Sequence, residues 1–339
     1  MGTKIYDLVE KQEIEMEYLK HKVIAIDSFL FLYQFLASIR QQDGRLLTDN
    51  KGNVTSHLIG LFSRTTNFLA HGIKPIFVFD GEPPELKKKI REKRKEIKVK
   101  AQQQYEEAVQ LGDEASMRKF GSRTGVLSPE MLTETKELLT YLGMPIVQAP
   151  TEGEAQAAYI VKKGEAYAVG SNDADSLIFG APRVVKNLGS TAKRKKPGTL
   201  IREAVPIELI ELQKVLDKLE FTQDQLIILA MLVGTDYNHG GIKGIGPKKA
   251  LAIVKKYTPN ELFAEVKWNE SFDYPWEDVF NAIKHVKVTD DYNLSWKPID
   301  KKKLIELLCN KHDFALERVE KPLAPLQSIQ AQSTLGSFI

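Results

Sequence analysis

The chain has 339 residues, 42% of them hydrophobic and 27% charged, and its 48 Lys and Arg against 45 Asp and Glu give a formal net charge of +3. That composition excludes a disordered chain and supports a core of one large or two medium domains. No run approaches the roughly 18 consecutive apolar residues of a membrane span, and the opening MGTKIYDLVEKQEIEMEYLK is too charged for a secretory leader, so a soluble, cytoplasmic protein is expected.

In chain order, the first strong element is the apolar run 23–27, which ends on Asp27. Apolar spacing predicts helices over 29–39 and 56–70. A second apolar run, 75–80, ends on Asp80. From Lys87 to Lys100 there are nine basic and two acidic residues, a net +7 over 14 positions. This stretch has strong helix formers but almost no apolar stripe, and a helix that is polar all round is solvated or meets a polar partner. Gly112, Gly121 and Gly125 then interrupt the pattern, which makes 85–125 a mobile arch over the sheet edge. Ser128-Pro129 supplies an N-cap and first-turn pair for a helix over 130–142. A helix over 152–163 carries Glu152 and Glu154 in its first turn, and the run 166–173 leads to Asp173 and Asp175. A second basic cluster, Lys193-Arg194-Lys195-Lys196, follows. Runs of this kind between amphipathic helices predict an α/β fold with a mostly parallel central sheet flanked by helices. Ligands bind beyond the carboxyl ends of such strands, where Asp27, Asp80 and Asp173 all fall.

The chemistry gathers in seven acids, Asp27, Asp80, Glu152, Glu154, Asp173, Asp175 and Asp236, in the motifs IAID, FVFDG, TEGEA, SNDAD and GTDY. Any one of them alone reads better as a turn or cap residue. As a set they follow apolar runs or open helices, and so many carboxylates packed together would repel without cations. Cys309 is the single cysteine and the six histidines show no zinc spacing, so oxygen ligands and Mg²⁺ are expected, with Mn²⁺ able to substitute. Two ions about 3.5–4 Å apart suit hydrolysis of a phosphodiester. No calcium-loop pattern is present. The segment from Gly241 to Ala250, GIKGIGPKKA, is a glycine turn running into a helix with Pro247 in its first turn. Its amides, with Gly244, Gly246, Lys248 and Lys249, would hold a backbone phosphate without reading sequence. It lacks the Gly-Lys-Ser/Thr of a nucleotide loop, so ATP binding is not expected. Lys87 and Arg94, seven apart on one helical face, could reach the same phosphate.

The ordered motifs IAID, FVFDG-x-PP, EGEA, SNDAD, GTDY and GIKGIGPKKA resemble the flap endonucleases of the structure-specific 5′ nuclease superfamily from near residue 1 to about 258, in an archaeal form because the chain ends without a long basic tail. The resemblance implies a single nuclease domain over 1–325. Within it lie an N-terminal nuclease region 1–100, a helical arch 85–125, and an internal nuclease region 116–258 with a helix-two-turn-helix element at about 232–258. A flexible tail 326–339 follows, with a sliding-clamp peptide at 332–339 carried by Gln332, Leu335, Phe338 and Ile339, the last standing where a second aromatic is usual. One metal site leans on Asp27, Asp80, Glu152 and Glu154 and a second on Asp173, Asp175 and Asp236. Lys87 and Arg94 match the gateway cations at the scissile phosphate, and Tyr33 an aromatic that stacks on the terminal base pair. Arg40 and Arg64 match residues near the template strand, and Thr55 one near a 3′-flap pocket. A monovalent cation at the helix-two-turn-helix is implied too. Eukaryotic relatives carry an acidic cluster where this chain has Asp49-Asn50-Lys51-Gly52-Asn53, so acidic exclusion of a longer 3′ flap is not implied. The implied function is 5′-flap endonuclease and 5′-3′ exonuclease activity by two-metal hydrolysis, in Okazaki fragment maturation and base excision repair, by a monomer that binds branched DNA and the sliding clamp. The alternatives are a catalytically silent scaffold for branched DNA and the clamp, another nuclease of the same superfamily, or a small-phosphate hydrolase of α/β fold.

Overall fold

The computed structural model describes residues 5–6, 8–190, 193–195 and 202–335, without the side chains of 88–91, 93–95, 193–195, 202–203 and 327–335. Its strands are β1 (Gln12–Ile14), β2 (Val23–Asp27), β3 (Lys74–Phe79), β4 (Ile146–Gln148), β5 (Ala168–Gly170), β6 (Arg183–Lys186), the short hairpin β7 (Lys193–Lys195) and β8 (Arg202–Ala204), and β9 (Ile207–Glu211). Seven of them form one sheet in the order β1-β9-β6-β5-β2-β3-β4. The five strands from β6 to β4 run parallel, while β9 pairs antiparallel with both β6 and β1.

Both faces of this sheet are covered, which is why its central strands read as unbroken apolar runs. Side chains alternate between faces. Ala25, Ile76, Val78, Val147, Val169 and Val184 enter one core, while Ile24, Ile26, Phe77, Phe79, Ala168 and Val185 enter the other. The helices that position the site are α1 (Ser28–Ser38), α2 (Ser56–Ala70), α3 (Lys88–Leu111), α4 (Glu114–Gly121), α5 (Pro129–Tyr141), α6 (Gly153–Lys162), α7 (Asp175–Ile178), α8 (Leu212–Leu219), α9 (Gln223–Val233) and α10 (Pro247–Lys256). The α2 helix has the expected bounds, and α1, α5 and α6 lie within one or two residues of them. Ser128 caps α5 by accepting from the Met131 amide at 3.2 Å, with Pro129 in the first turn.

The long polar α3 ends on Gly112, whose left-handed backbone (φ 67°) forms the C-cap. The chain then returns through α4 and anchors on the loop after α1. There Arg118 Nε donates to the Gln42 carbonyl at 2.8 Å and the Tyr105 hydroxyl to that of Asp43 at 3.3 Å. At the C-terminus, a helix spans Leu316–Leu335 and buries Leu323 and Leu326. Past Pro322 the two leucines, three apart, keep one face of this helix in the core. No helix among the described residues is long and apolar enough to cross a membrane.

Candidate active site

The acids converge because parallel strands deliver their carboxyl ends to one edge of the sheet. Asp27 closes β2 and its Oδ1 accepts from the Leu30 amide at 3.1 Å, capping α1. Asp80 follows β3 and accepts from the Gly153 amide at 2.7 Å, tying that strand to the first turn of α6. Glu152 sits at the N-cap of α6 and Glu154 in its first turn. Beyond β5, the amide of Asp173 donates to Ser171 Oγ at 3.0 Å and that of Asp175 to Asp173 Oδ1 at 3.2 Å, so a compact turn presents both carboxylates. Carboxylate oxygens of Glu154, Asp173 and Asp175 all lie within 4.8 Å of one another. Ser171 Oγ (2.5 Å) and Ser176 Oγ (3.1 Å) donate to Glu154 Oε1 and aim it inward.

The electrostatics carry the mark of crowded charge. Burial, and then the neighbouring Asp80, raise Asp27 to about 8. Burial and then Asp175 raise Asp173 to about 7. Glu154 is pushed well above the ordinary range by burial and by Asp173 and Asp27. Burial also raises Asp80 and Glu152, the latter against the pull of Lys87. Carboxylates held so close that they retain protons are a donor set that gains from cations, and hard divalent ions prefer all-oxygen ligands. The residues present fit divalent metal.

Lys87, just before α3, places Nζ 2.5 Å from Glu152 Oε1 and 4.5 Å from the centre of the Tyr237 ring. Burial acts to lower its pKa, but Glu152 and Asp236 outweigh it and the ammonium is held charged. Asp236 belongs to the turn after α9, where Thr235 Oγ1 donates to Asn238 Oδ1 at 2.7 Å and Asn238 Nδ2 to the Met231 carbonyl at 2.6 Å. Ser171, Ser176 and Tyr237 were not singled out in the sequence. Ser176 and Tyr237 adjoin acids of the motifs and Ser171 opens the SNDAD motif, and that proximity was the available signal.

The remaining predicted residues sit on other elements. Tyr33, on α1, is 41% exposed with Lys98 Nζ 4.5 Å over its ring. Arg40 turns back on its own chain, donating from Nε to Leu36 O (2.7 Å) and from Nη1 to Gly44 O (2.8 Å). Arg64 lies over the rings of Phe31 and Phe35, donates to Gln34, and is lowered to about 10 by burial. Thr55 is buried at the N-terminus of α2. Pro247 opens α10, Gly246 is its N-cap, and Lys248 and Lys249 are exposed on its first turn. The side chains of Arg94, Gln332 and Leu335, and the whole of Phe338 and Ile339, lie outside the described residues.

A mostly parallel sheet whose strand ends gather acids, with Lys87 set against them just ahead of α3, is the architecture of XPG-type nucleases. Their two family descriptions both match, XPG N-terminal domain over residues 4–101 and XPG I-region over residues 143–236. The chain is 50% identical over 330 residues to the Flap endonuclease 1 of Thermofilum pendens, covering 96% of this chain and 95% of that one. It is 48% identical over 341 residues to that of Pyrococcus furiosus, with 100% and 99% covered. The solved flap endonuclease-1 from Methanococcus jannaschii superposes with a TM-score of 0.77 at 42% identity, covering 98% of this chain and all of that one. The catalytic core of Rad2 in complex with DNA substrate shares the fold at 23% identity, with a TM-score of 0.71 over 96% of this chain and 100% of that one. The chain belongs to the flap endonuclease family, in its archaeal form, and is a structure-specific 5′-flap endonuclease of DNA replication and repair, a hydrolase that binds branched DNA.

Proposed function

We propose that this flap endonuclease is Mg²⁺-dependent and holds two ions, one on Asp27, Asp80, Glu152 and Glu154 and the other on Asp173, Asp175 and Asp236, with Mn²⁺ able to substitute. The observation that carries the reading is the trio Glu154, Asp173 and Asp175, whose oxygens lie within 4.8 Å of each other. The ions supply Lewis acidity for hydrolysis of a phosphodiester to a 5′-phosphate and a 3′-hydroxyl. The chain's own part is to orient and to balance charge. Ser171 and Ser176 fix Glu154, and Asp80 fixes the turn that carries Glu152. Lys87 places a permanent positive charge beside the acids, where Arg94 would join it on the next turns of α3, to offset charge that develops on the scissile phosphate. Tyr33 offers an exposed ring for a terminal base pair, with Arg64 on α2, Thr55 at the N-cap of α2 and Arg40 just after α1. The glycine turn, with Gly244, Gly246, Lys248 and Lys249, grips duplex backbone and can hold a monovalent cation beside a phosphate. Exonuclease action from a free 5′ end, work on Okazaki fragments and in base excision repair, and docking on the sliding clamp through 332–339 complete the reading.

The test is cleavage of an end-labelled 5′-flap duplex beside a blunt duplex and a single strand, with Mg²⁺ or with chelator. Cutting at the branch that chelator abolishes and Mg²⁺ or Mn²⁺ restores is expected; cutting that persists in chelator would sink the metal assignment. Surface-immobilised clamp should retain the full chain and release one that ends at residue 331.

A further inference from the structure

The acidic turn of α6 is held from two sides, and only one side belongs to the active site. On the inner side, Asp80 accepts from the Gly153 amide, and the Gly81 amide donates to the Thr151 carbonyl at 2.6 Å. On the outer side runs residues 286–299, a stretch without helix or strand. It touches α6 and the residues that flank it at successive points. Thr151 Oγ1 donates to the Lys287 carbonyl at 3.1 Å. Gln156 makes two bonds to one residue, its Nε2 donating to the Thr289 carbonyl and its Oε1 accepting from the Thr289 amide, each at 2.8 Å. Further along the helix, Tyr159 donates to Asp290 and Lys163 bonds to Asp290 and Tyr292. The strap then seals the sheet edge, where Trp296 Nε1 donates to Pro75 O at 3.1 Å and the Lys297 amide to Gly143 O at 2.9 Å.

Gln156 is the strongest of these grips. It is fully buried, and its amide orientation is fixed because the Thr289 N–H needs an acceptor and the Thr289 carbonyl a donor. Its own backbone amide donates to the Glu152 carbonyl at 3.0 Å, closing the turn that carries Glu152 and Glu154. Thr151 and Gln156 therefore bracket the two carboxylates in sequence, and both are bonded to the strap rather than to the acidic cluster. A side chain buried this way resists any rotation of the first turn, since movement would leave polar groups unpartnered out of water. Residues that orient metal ligands without touching the metal commonly change affinity by 10–100-fold when removed.

We propose that Gln156 is a positioning residue for the metal site: with Thr151 it lets the strap 286–299 set the placement of Glu152 and Glu154, and so the affinity for divalent metal. This rests on the metal reading given above. The test uses the full chain freed of metal, with Mn²⁺ binding followed by titration calorimetry, exchange of the amides of 153–156 followed by mass spectrometry, and thermal melts. Gln156→Met keeps the chain length and removes both bonds. Its Mn²⁺ dissociation constant is expected to rise about 10-fold, with faster exchange at 153–156 at a temperature where the variant is fully folded. Should it fail to fold, Thr151→Val carries the test through a smaller rise, about threefold, for the loss of one of these positioning bonds. A lowered melting temperature with unchanged Mn²⁺ affinity in the folded variant is the signature of a merely structural role and would overturn the proposal. Glu154→Gln separates the two ideas: if it loses Mn²⁺ binding while Gln156→Met does not, the positioning role alone fails. If Glu154→Gln binds Mn²⁺ like the natural chain, the metal reading fails and the proposal with it.

Discussion

Asp27 and Asp173 keep their protons to about 8 and about 7, because burial and neighbouring carboxylates both disfavour their charge. In the unfolded chain these protons leave near the ordinary value of 3.8. The folded, metal-free protein therefore binds more protons than the unfolded chain between those limits. Stability from this source is fully present below the ordinary value and is lost as pH rises through about 7 to 8. The melting temperature of the chelated protein should accordingly fall between pH 5 and 8, and saturating Mg²⁺ should flatten that fall, because bound cations replace the protons. A chelated melting temperature that climbs across this window would contradict the crowding. A second buried set titrates with the opposite sign. His312 faces Asp49 Oδ2 with Nδ1 and Glu134 Oε1 with Nε2, each at 3.0 Å. Burial acts to raise both acids, but hydrogen bonds from Asn53 and His312 bring Asp49 to about 2, and the neighbouring His57, whose Nε2 lies 3.6 Å away, together with Lys311 and His312 brings Glu134 to about 2. This contribution is present above the ordinary carboxylate values and disappears as pH falls through about 2. At the acidic edge itself, Asp175→Asn should abolish flap cleavage while retaining DNA binding. Lys87→Ala should lower turnover by on the order of 100-fold with little change in affinity; single-turnover rates and a binding titration separate the two effects.

The turn between α9 and α10 shows how one element divides its glycines between folding and function. Gly241 has φ +59°, and a Cβ there would lie 2.4 Å from the Leu232 carbonyl oxygen and from the Val233 carbonyl carbon. That position is glycine because the chain doubles back on α9, where the Ile242 amide donates to Leu232 O at 2.9 Å. Gly246 differs: its φ is −92°, which any residue adopts, and a Cβ would meet nothing within 4 Å. Folding gives no reason for glycine there, whereas close approach of a phosphate to the α10 N-terminus does. Gly241→Ala should cost about 1–3 kcal/mol of stability in urea titrations. Gly246→Ala should leave the urea midpoint in place and weaken binding to a 5′-flap duplex by roughly 10-fold, about 1.4 kcal/mol. Equal binding by Gly246→Ala and the natural chain would remove the phosphate from this turn.

Across the whole molecule, what could be read in advance follows how much each segment buries. The central strands show as apolar runs because both their faces are covered, and their terminal acids show because nothing apolar follows them. Of β1, β4, β6 and β9, which complete the sheet, β1 buries only Ile14 and β4 only Val147, and β6 and β9 bury two residues each, too little for alternation to stand out. The strap 286–299 has no period at all, and its hold on α6 exists only in three dimensions. The same is true of His312, whose partners Asp49 and Glu134 come from a loop and from α5. Charge was legible as a run in α3 but not as a surface, since Lys87 turns into the acids while Lys248 and Lys249 face solvent from a separate helix. That separation has a measurable consequence. Cations that only neutralise backbone phosphates release counterions and steepen the salt dependence of binding, each adding a slope of about 0.9 on duplex DNA. Lys248→Ala with Lys249→Ala should therefore weaken flap-duplex binding for every sequence alike and lower the slope of log affinity against log salt by about 2. Lys87→Ala, its charge already matched by Glu152, should leave that slope nearly unchanged. Fluorescence anisotropy from 50 to 200 mM KCl in Ca²⁺ reads both slopes without turnover, and a Lys87→Ala slope as shallow as that of the double variant would place Lys87 on the backbone path instead of among the acids.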